Sequence, residues 1–452
     1  MARLSRVGGE RDDGRGNEVT HVIIVDAALE RREREGRPIR VGLVGAGYMG
    51  RGIALEILTS VGGMRLAAIA NRTPSEAVRA YRDSGVDTVS TVDSVARLER
   101  AIRAGHYTVT DDPLLVCRAE GIDAIIECTG EVEFGARVTL AAIEHGKHVV
   151  LMNAELDATV GPILKVYADR NGVVITNTDG DEPGVAMNLY RFVKMIGYRP
   201  VAAGNFKGMI DPYRTPDTQK TFAEKHHQKP RMITSFADGT KLSMEATILA
   251  NATGFRVARR GMYGHRCGHV RDTLALYPLE ELLHGGLVDY ILGAEPHTGA
   301  FVLGYNDHPT KREYMSYFKM GDGPLYAFYT PYHLPHLQIV PTLARAVLFR
   351  DATVAPQGEP VCDVLTAAKR DLKAGEVLDG IGGFACYGTI DNADVVRREN
   401  LLPMGLSDGC RLTRDVARDQ PITYDDVVLP EGRLGDRLRA EQAAYFAQAI
   451  HA

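Results

Sequence analysis

The chain has 452 residues, 45% of them hydrophobic and 25% charged, and it exceeds the ~250–300 residues that one hydrophobic core organises, so two or three domains are expected. A net charge of −5 excludes the broad positive surface that nucleic acid or acidic lipid requires. No apolar run reaches the ~18 residues of a membrane span. The six cysteines form no CxxC pair, which predicts reduced thiols and a cytoplasmic protein.

The N-terminal region is polar and lacks the apolar stretch of a signal peptide. Residues 1–20 are predicted to form a flexible tail. The run DAALERREREGR, which follows this tail, alternates charges at helical spacing. This pattern favours a solvated first helix over a contact with nucleic acid.

Residues 21–200 are predicted to form a Rossmann domain, an α/β fold with a doubly wound parallel sheet. Apolar runs alternate here with helix-length stretches, and the runs are IRVGLVG, MRLAAIA, DAIIECTG, HGKHVVLMN and NGVVITN. Strands covered by helices on both faces have this continuous apolar composition. The alternation therefore predicts parallel strands joined by helical crossovers.

The first of these strands runs into the motif GAGYMG, which has G-x-G-x-x-G spacing and precedes an amphipathic segment. In this context the motif indicates a dinucleotide site, since Gly45 permits the tight turn, Gly47 lets the backbone approach the diphosphate, and Gly50 allows close helix packing. The helix N-terminus would add unpaired N–H groups. The predicted cofactor-binding residues of this loop are Gly45, Ala46, Gly47, Tyr48, Met49 and Gly50.

The second strand ends in Asn71 and Arg72, where an NAD enzyme would carry an Asp or Glu for the ribose hydroxyls. No carboxylate is present to repel a 2′-phosphate, and the guanidinium of Arg72 could pair with one. We therefore expect both residues to bind the cofactor and NADP(H) to be preferred over NAD(H). The alternative is that Arg72 is an ordinary surface residue.

Further polar residues follow the later strands of the predicted sheet. Thr129 and Gly130 end the strand DAIIECTG, and Asn153 and Glu155 follow the strand KHVVLM. The carboxyl edge of a parallel sheet is where a dinucleotide crosses. These four residues are therefore expected to bind the cofactor.

The turn NTDGDEPG places three carboxylates, Asp179, Asp181 and Glu182, immediately before an apolar helix. They could cap the helix, or they could bind a cation or the hydroxyls of a substrate, so a divalent cation stays possible and its ligands unknown. Lys207 is a candidate for the positive group that hydride transfer to a carbonyl requires. Lys225 and His226 are candidates for binding a substrate phosphate.

The rest of the chain is expected to form three units. Residues 201–360 are expected to form an α+β catalytic domain with a helix that returns to the first domain. Residues 361–430 are expected to form a small β-rich module, and residues 431–452 a C-terminal helix that packs on a neighbour or a partner chain.

His265, Cys267 and His269 alternate in YGHRCGHV, a spacing that argues against a zinc site. His333 and His336 in TPYHLPHL are expected to pack or to line a pocket.

Seven segments along the chain carry a family resemblance, and they are VGLVGAGYMG, GKHVVLMNAE, GDEPGVAMNLY, MEATILANATG, PYHL, AAKRDLKAGEVLDGIGGF and GLSDGCRLTRDVARDQPITYDDV. They resemble the homoserine-dehydrogenase-like oxidoreductases, and within them the branch that ends in a SAF domain, a small β-clip module. Within this branch the chain is similar to the 1-deoxy-D-xylulose 5-phosphate reductoisomerase-like enzymes. The NAE after the GKHVV strand, where homoserine dehydrogenases have NK, argues against homoserine as the substrate.

The resemblance implies an NADPH-dependent conversion of 1-deoxy-D-xylulose 5-phosphate to 2-C-methyl-D-erythritol 4-phosphate, a step of isoprenoid biosynthesis. Within the resembling segments and next to them, the implied catalytic residues are Asp181, Glu182, Asn205, Lys207 and Asn251. A dehydrogenase or epimerase of another polyol, hydroxy acid or pathway intermediate is the alternative, and a catalytically silent NADPH-sensing protein is a further one. A homo-oligomer, a dimer or a tetramer, is expected, and a homodimer through the second domain is favoured.

Overall fold

A computed structural model describes residues 24–60 and 62–449 of the chain. The tail predicted for residues 1–20 lies outside the described residues. Among those described, no helix is both long and apolar enough to cross a membrane.

The first domain is built on a seven-stranded parallel sheet in the order β3-β4-β2-β1-β5-β6-β7. Its strands are β1 (Ile39–Val44), β2 (Met64–Ala70), β3 (Val89–Thr91), β4 (Tyr107–Thr110), β5 (Ala124–Glu127), β6 (His148–Leu151) and β7 (Ile175–Asn177). The helices are α1 (Ile24–Arg34), α2 (Tyr48–Thr59), α3 (Pro74–Asp83), α4 (Val95–Arg103), α5 (Pro113–Arg118), α6 (Val132–Glu144) and α7 (Ala154–Arg170). The predicted Rossmann-type α/β fold is confirmed, and β3 and β4 are strands that the apolar pattern did not indicate.

The second domain holds a five-stranded mixed sheet in the order β12-β11-β8-β10-β9. Its strands are β8 (Arg199–Lys207), β9 (His265–Arg266), β10 (Leu287–Leu292), β11 (Ala300–Tyr305) and β12 (Leu325–Thr330). Its helices are α8 (Glu182–Met195), α9 (Pro216–Lys225), α10 (Pro230–Ala237), α11 (Thr240–Thr253), α12 (Leu279–Leu283) and α13 (Pro309–Tyr317). The expectation of an α+β domain after the Rossmann domain is confirmed.

The chain then returns to the first domain through α14 (Ile339–Ala344) and the π-helical turn Arg345–Phe349. Ile339, Val340 and Leu343 are buried in the same apolar core as β1, β2 and α2. Their burial removes apolar surface from water and fixes the two domains against each other.

A small C-terminal module follows, with two antiparallel strand pairs. The pairs are β13 (Cys362–Ala368) with β14 (Cys386–Asn392), and β15 (Arg411–Leu412) with β16 (Val427–Val428), and α15 (Ala393–Arg398) lies between them in the chain. The last helix, α16 (Leu434–Ala449), packs on α6 and α7 of its own chain. The side chain of Glu133 accepts hydrogen bonds from the amides of Leu434 and Gly435 at its start.

Candidate functional site

The three glycines of the loop between β1 and α2 meet different surroundings. Gly45 has a φ of +104°, and a Cβ there would lie 2.7 Å from the carbonyl oxygen of Cys128. A Cβ on Gly50 would lie 2.0 Å from the carbonyl oxygen of Gly45, whereas a Cβ on Gly47 would meet nothing within 4 Å. Gly45 and Gly50 are therefore required by the fold. Gly47 faces open space at the uncapped N-terminus of α2, which fits the approach of a dinucleotide diphosphate.

The end of β2 supports this loop through Asn71. Its Oδ1 accepts a hydrogen bond from the amide of Ala46 at 3.0 Å, and its Nδ2 donates to the carbonyl of Thr73 at 2.8 Å. Arg72, the next residue, is exposed. Tyr48 and Met49 open the helix, and Tyr48 is exposed.

Beside the loop, the end of β5 carries Glu127, a fully buried carboxylate that the sequence analysis missed. The amide and hydroxyl of Thr129 and the Nδ2 of Asn153 donate to it. Burial, only partly offset by these donors, raises the pKa of Glu127 to about 7. Asn153 also caps α7 through Leu156, so the side chains of Thr129 and Asn153 hold the carboxyl edge of the sheet.

A cluster of six ionisable side chains lies where the two domains meet. They come from the starts of α7, α8 and α11 and from the end of β8. The starts of α7 and α8 lie close together because these helices follow the neighbouring parallel strands β6 and β7, and ion pairs join β8 to α8 and α11 to α7. We call this set the charged cluster, and its members are Glu155, Asp181, Glu182, Lys207, Lys241 and Glu245.

Lys207 is held between two carboxylates. Its Nζ lies 2.5 Å from Oε2 of Glu182 and 3.7 Å from Oε2 of Glu245. The amide of Asn205 donates to the same Glu182 oxygen. Burial favours the neutral amine, but the two carboxylates outweigh it and raise the pKa of Lys207.

Lys241 links the other side of the cluster. Its Nζ lies 3.5 Å from Oε1 of Glu155 and 3.9 Å from Oε1 of Glu245. Burial favours the neutral amine of Lys241, but the charges of Glu155 and Asp181 outweigh it and raise the pKa of Lys241. Burial, together with the charge of Glu182, raises the pKa of Glu245 to about 8, so this carboxyl retains a proton more readily than an exposed glutamate.

The loop after β12 contacts both the charged cluster and α2, the helix that follows the glycine loop. Nδ1 of His333 lies 3.7 Å from Oε1 of Glu182 and 3.0 Å from Oγ1 of Thr298. A Cβ on Gly180 would lie 2.3 Å from the carbonyl of Leu334, and one on Gly52 in α2 would lie 2.6 Å from Cδ2 of His336. The segment PYHLPHL thus lies against both α2 and the turn NTDGDEPG, which we call the acidic turn.

Three of the predicted site residues, Asn251, Lys225 and His226, lie outside the charged cluster. Oδ1 of Asn251 accepts from the amides of Val361 and Cys362 at 2.7 and 3.1 Å. Lys225 and His226 are exposed at the end of α9.

The carboxylates of Asp179 and Asp181, both in the acidic turn, lie in different surroundings. Asp179 accepts hydrogen bonds from Arg345, Asn188 and Thr353, so its carboxylate ties the turn to the returning helix. Asp181 faces the cluster, and burial with the charge of Glu245 raises its pKa. Over residues 24–60 and 62–449, no group of three His, Cys, Asp or Glu side chains is arranged to hold a metal ion.

Two family models match the chain, one on each large domain. Residues 39–151 match the GFO/IDH/MocA model, described as "Oxidoreductase family, NAD-binding Rossmann fold". Residues 180–339 match a model described as "Oxidoreductase DRL, catalytic domain". The chain is an NAD(P)-dependent oxidoreductase. The first match contains the glycine loop, and the second contains Asp181, Glu182, Lys207, Lys241 and Glu245.

Other known proteins resemble the chain more distantly. A homoserine dehydrogenase from Methylobacillus glycogenes is 32% identical over 122 residues, which are 27% of this chain and 26% of that protein. The chain thus spans about a quarter of that curated relative. A probable dehydrogenase from Thermotoga maritima is 12% identical, with a TM-score of 0.41 over 71% of this chain and 90% of its own. A scyllo-inositol dehydrogenase from Lactobacillus casei is 12% identical, with a TM-score of 0.32 over 91% and 89%.

Proposed function

We propose that this oxidoreductase interconverts the carbonyl and the hydroxyl of a small hydroxy-carbonyl compound, with Lys207 as the group that carries the proton. The observation that carries the proposal is the ammonium group of Lys207, held between Glu182 and Glu245 where the two domains meet. This position adjoins the carboxyl edge of the parallel sheet, where ligands bind in such folds.

A bound nicotinamide coenzyme supplies or accepts the hydride of this reaction. In the reductive direction, Lys207 donates a proton to the substrate oxygen as that oxygen becomes an alkoxide. The amine of Lys207 then regains a proton from the protonated carboxyl of Glu245. In the oxidative direction both proton transfers reverse.

The remaining residues of the cluster have positioning and binding roles in this proposal. Asn205 orients Glu182, and Lys241 fixes Glu245 and Glu155. Asp181 would bind a substrate hydroxyl. Because Asn251 engages two backbone amides, it has no role in the chemistry that we propose.

We propose NADPH as the preferred coenzyme and the exposed Arg72 as the residue that binds its 2′-phosphate. Thr129, Gly130, Asn153 and Glu155 would line the path of the coenzyme along the carboxyl edge. The charged cluster holds four carboxyl groups against two ammonium groups, which disfavours a phosphate inside it. A phosphorylated substrate would therefore place its phosphate outside the cluster, with Lys225 and His226 as the proposed contacts.

We further propose 1-deoxy-D-xylulose 5-phosphate as the first substrate to test, and a SAF-type module at the C-terminus. Support for the substrate comes from the resembling segments GDEPGVAMNLY and MEATILANATG, which carry Glu182 and Glu245. Support for the module comes from AAKRDLKAGEVLDGIGGF and GLSDGCRLTRDVARDQPITYDDV. The Rossmann domain and the DRL catalytic match are equally compatible with a plain dehydrogenase. The two reactions differ because only a reductoisomerase rearranges the carbon skeleton.

The test is to incubate the purified protein with NADPH and 1-deoxy-D-xylulose 5-phosphate, with and without Mg²⁺, and to analyse the product by NMR. Formation of 2-C-methyl-D-erythritol 4-phosphate supports the reductoisomerase. NADPH consumption without rearrangement identifies a dehydrogenase or epimerase, which a panel of polyols and hydroxy acids would then define. NADPH binding with no turnover on any carbonyl compound would indicate a sensing protein and overturn the proposal.

We propose that the protein is a homodimer in solution through its second domain. Large apolar side chains are exposed on this domain, including Met195, Tyr317 and Phe318, and exposed apolar groups of this kind are typical of interaction surfaces. Light scattering of the wild type and of Tyr317→Ser with Phe318→Ser tests the proposal. A monomeric wild type would reject it.

A further inference from the structure

Helix α11 carries both Lys241 and Glu245, and the C-terminal module contacts it near its first turn. Oγ1 of Thr240, the first residue of α11, accepts a hydrogen bond from the amide of Gly388 in β14 at 2.8 Å. Oγ of Ser243 donates to the carbonyl of the same residue at 3.4 Å. A Cβ on Gly388 would lie 3.0 Å from Cγ2 of Thr240, so strand and helix are in close contact.

The same module also binds the far end of this helix. Oδ1 of Asn251 accepts hydrogen bonds from the amides of Val361 and Cys362, where β13 begins. Between the two ends, Met244 and Ile248 pack in one apolar cluster with Val364 of the module. The helix is thus attached to the module at both ends and along its length.

A buried ion pair adds a third attachment just before α11. Nζ of Lys369, which follows β13, donates to Oδ2 of Asp238 at 2.9 Å and to the carbonyls of Gly383 and Arg214 at 2.8 Å each. The side chains of Lys369 and Asp238 are 2% and 0% exposed. Oδ1 of Asp238 in turn accepts from the amide of Thr240 at 2.9 Å, so the pair reaches the first turn of α11.

We propose that the C-terminal module, residues 361–428, positions α11 and thereby sets the geometry of the active site. In this proposal the module is not a separate binding unit. Thr240, Asp238 and Lys369 are positioning residues in this proposal. It rests on the proposed function, in which Lys241 fixes Glu245 and Glu245 reprotonates Lys207. The module acts on these groups only through the helix that carries them.

The geometry of the cluster makes its chemistry sensitive to the placement of this helix. Lys241 lies 3.5 Å from Glu155, and Glu245 lies 3.7 Å from Lys207. Because both side chains lie on one helix, a slide or rotation of α11 would change both distances together. A displacement of about 1 Å at such a site can reduce a rate about 100-fold.

The test compares four conservative variants by hydrogen–deuterium exchange of the full chain, two at Thr240, one at Ser243 and a control at Thr366. Thr240→Val removes the acceptor for the Gly388 amide and keeps the shape of the side chain, whereas Thr240→Ser keeps the hydroxyl. Thr366→Val is the matched control, because Oγ1 of Thr366 is equally buried but donates to Leu402 within the module. Ser243→Ala is a milder second variant, in case Thr240→Val does not fold.

We expect Thr240→Val to accelerate amide exchange in residues 240–253 about fivefold, as the loss of one hydrogen bond predicts. Ser243→Ala should accelerate it less, and Thr240→Ser should match the wild type. Thr366→Val should leave exchange in α11 unchanged. Unchanged exchange in Thr240→Val and Ser243→Ala, or equal acceleration by Thr366→Val, would overturn the proposal.

Turnover provides the second readout. On whichever carbonyl substrate the wild type reduces, Thr240→Val should lower kcat at least about tenfold with KM for NADPH unchanged, and Thr240→Ser should restore kcat. A faster-exchanging α11 with unchanged kcat would reject a role in catalysis. If the wild type reduces no substrate, the proposed function fails, whereas the exchange experiment still decides whether the module holds the helix.

Discussion

Nζ of Lys207, at the end of β8, lies 2.5 Å from Oε2 of Glu182, in the first turn of α8. This ion pair joins the second sheet to the helix that follows the last strand of the first sheet. The side chain of Glu182 is 2% exposed, while that of Lys207 is 23% exposed. The ammonium group is therefore the member of the pair that a substrate can reach.

Replacing Lys207 should remove catalysis while leaving coenzyme binding intact. Because Lys207 carries the proton in the proposed reaction, Lys207→Met should lower kcat about 100- to 10,000-fold. NADPH affinity, measured by fluorescence titration, should not change, since the glycine loop belongs to the other domain. Lys194→Met, on the exposed end of α8, is the control and should keep full activity. A Lys207→Met enzyme with wild-type kcat would exclude this lysine as the proton carrier.

The raised pKa of Glu245 predicts a pH dependence of stability. The pKa increases from 4.5 to about 8 in the folded protein, so between these values the native state binds more protons than the unfolded state. The contribution of Glu245 is fully present below about pH 4.5 and is lost as the pH rises through about 8. Each unit of this shift corresponds to about 1.4 kcal/mol.

Glu245→Gln provides the comparison, because its amide does not titrate in this range. The free energy of unfolding, measured by urea denaturation from pH 4.5 to 8.5, should fall more steeply with pH for the wild type than for Glu245→Gln. Parallel profiles for the two proteins would show that the carboxyl of Glu245 titrates normally.

The strands and the loop that a local sequence pattern indicates could be predicted from the sequence. The apolar strands β1, β2 and β5 could be identified because burial on both faces leaves a continuous apolar run, and the glycine loop could be identified from its spacing. Strand β3, with the sequence VST, and β4, with YTVT, are short and polar. Strand β4 pairs with β2, and β3 pairs with β4 at the sheet edge. These pairings depend on neighbours distant in sequence, which no local pattern records.

The charged cluster could be predicted only in part for the same reason. Lys207 was a candidate as a cation just past the predicted domain boundary, and Glu182 was a candidate as a carboxylate in the turn before an apolar helix. Lys241 and Glu245 lie on a helix whose burial on all sides was not apparent, and the segment MEATILANATG was represented only by Asn251. That residue lies toward the opposite end of α11 and holds the start of β13. Which end of a helix meets the site is decided by tertiary packing.

Two substitutions three residues apart in the glycine loop should differ in their effects on stability and on NADPH binding. Gly47→Ala should fold normally, because its Cβ would meet nothing within 4 Å, and fewer unfolded conformations could even add about 0.4–1 kcal/mol of stability. Its NADPH affinity should nevertheless fall at least about tenfold, because the methyl group would occupy the path of the diphosphate.

Gly50→Ala should instead destabilise the folded protein. Its Cβ would lie 2.0 Å from the carbonyl oxygen of Gly45, so α2 must shift and we expect a loss of about 1–3 kcal/mol in the free energy of unfolding. Thermal denaturation and NADPH titration of both variants check the pair. Unimpaired NADPH binding by Gly47→Ala would place the diphosphate elsewhere.

Arg72 should determine the choice between the two coenzymes. The residue is exposed beside Asn71, whose own side chain is engaged by the amide of Ala46 and the carbonyl of Thr73, so the guanidinium is the group that can reach a 2′-phosphate. Arg72→Ala should weaken NADPH binding about tenfold, the effect of about 1.4 kcal/mol from a charge-assisted contact. NADH affinity should stay the same, because NADH lacks that phosphate. Arg79→Ala, an exposed arginine paired with Asp83 on α3, should change neither affinity, and an equal loss for both coenzymes in Arg72→Ala would instead assign Arg72 to a part that they share.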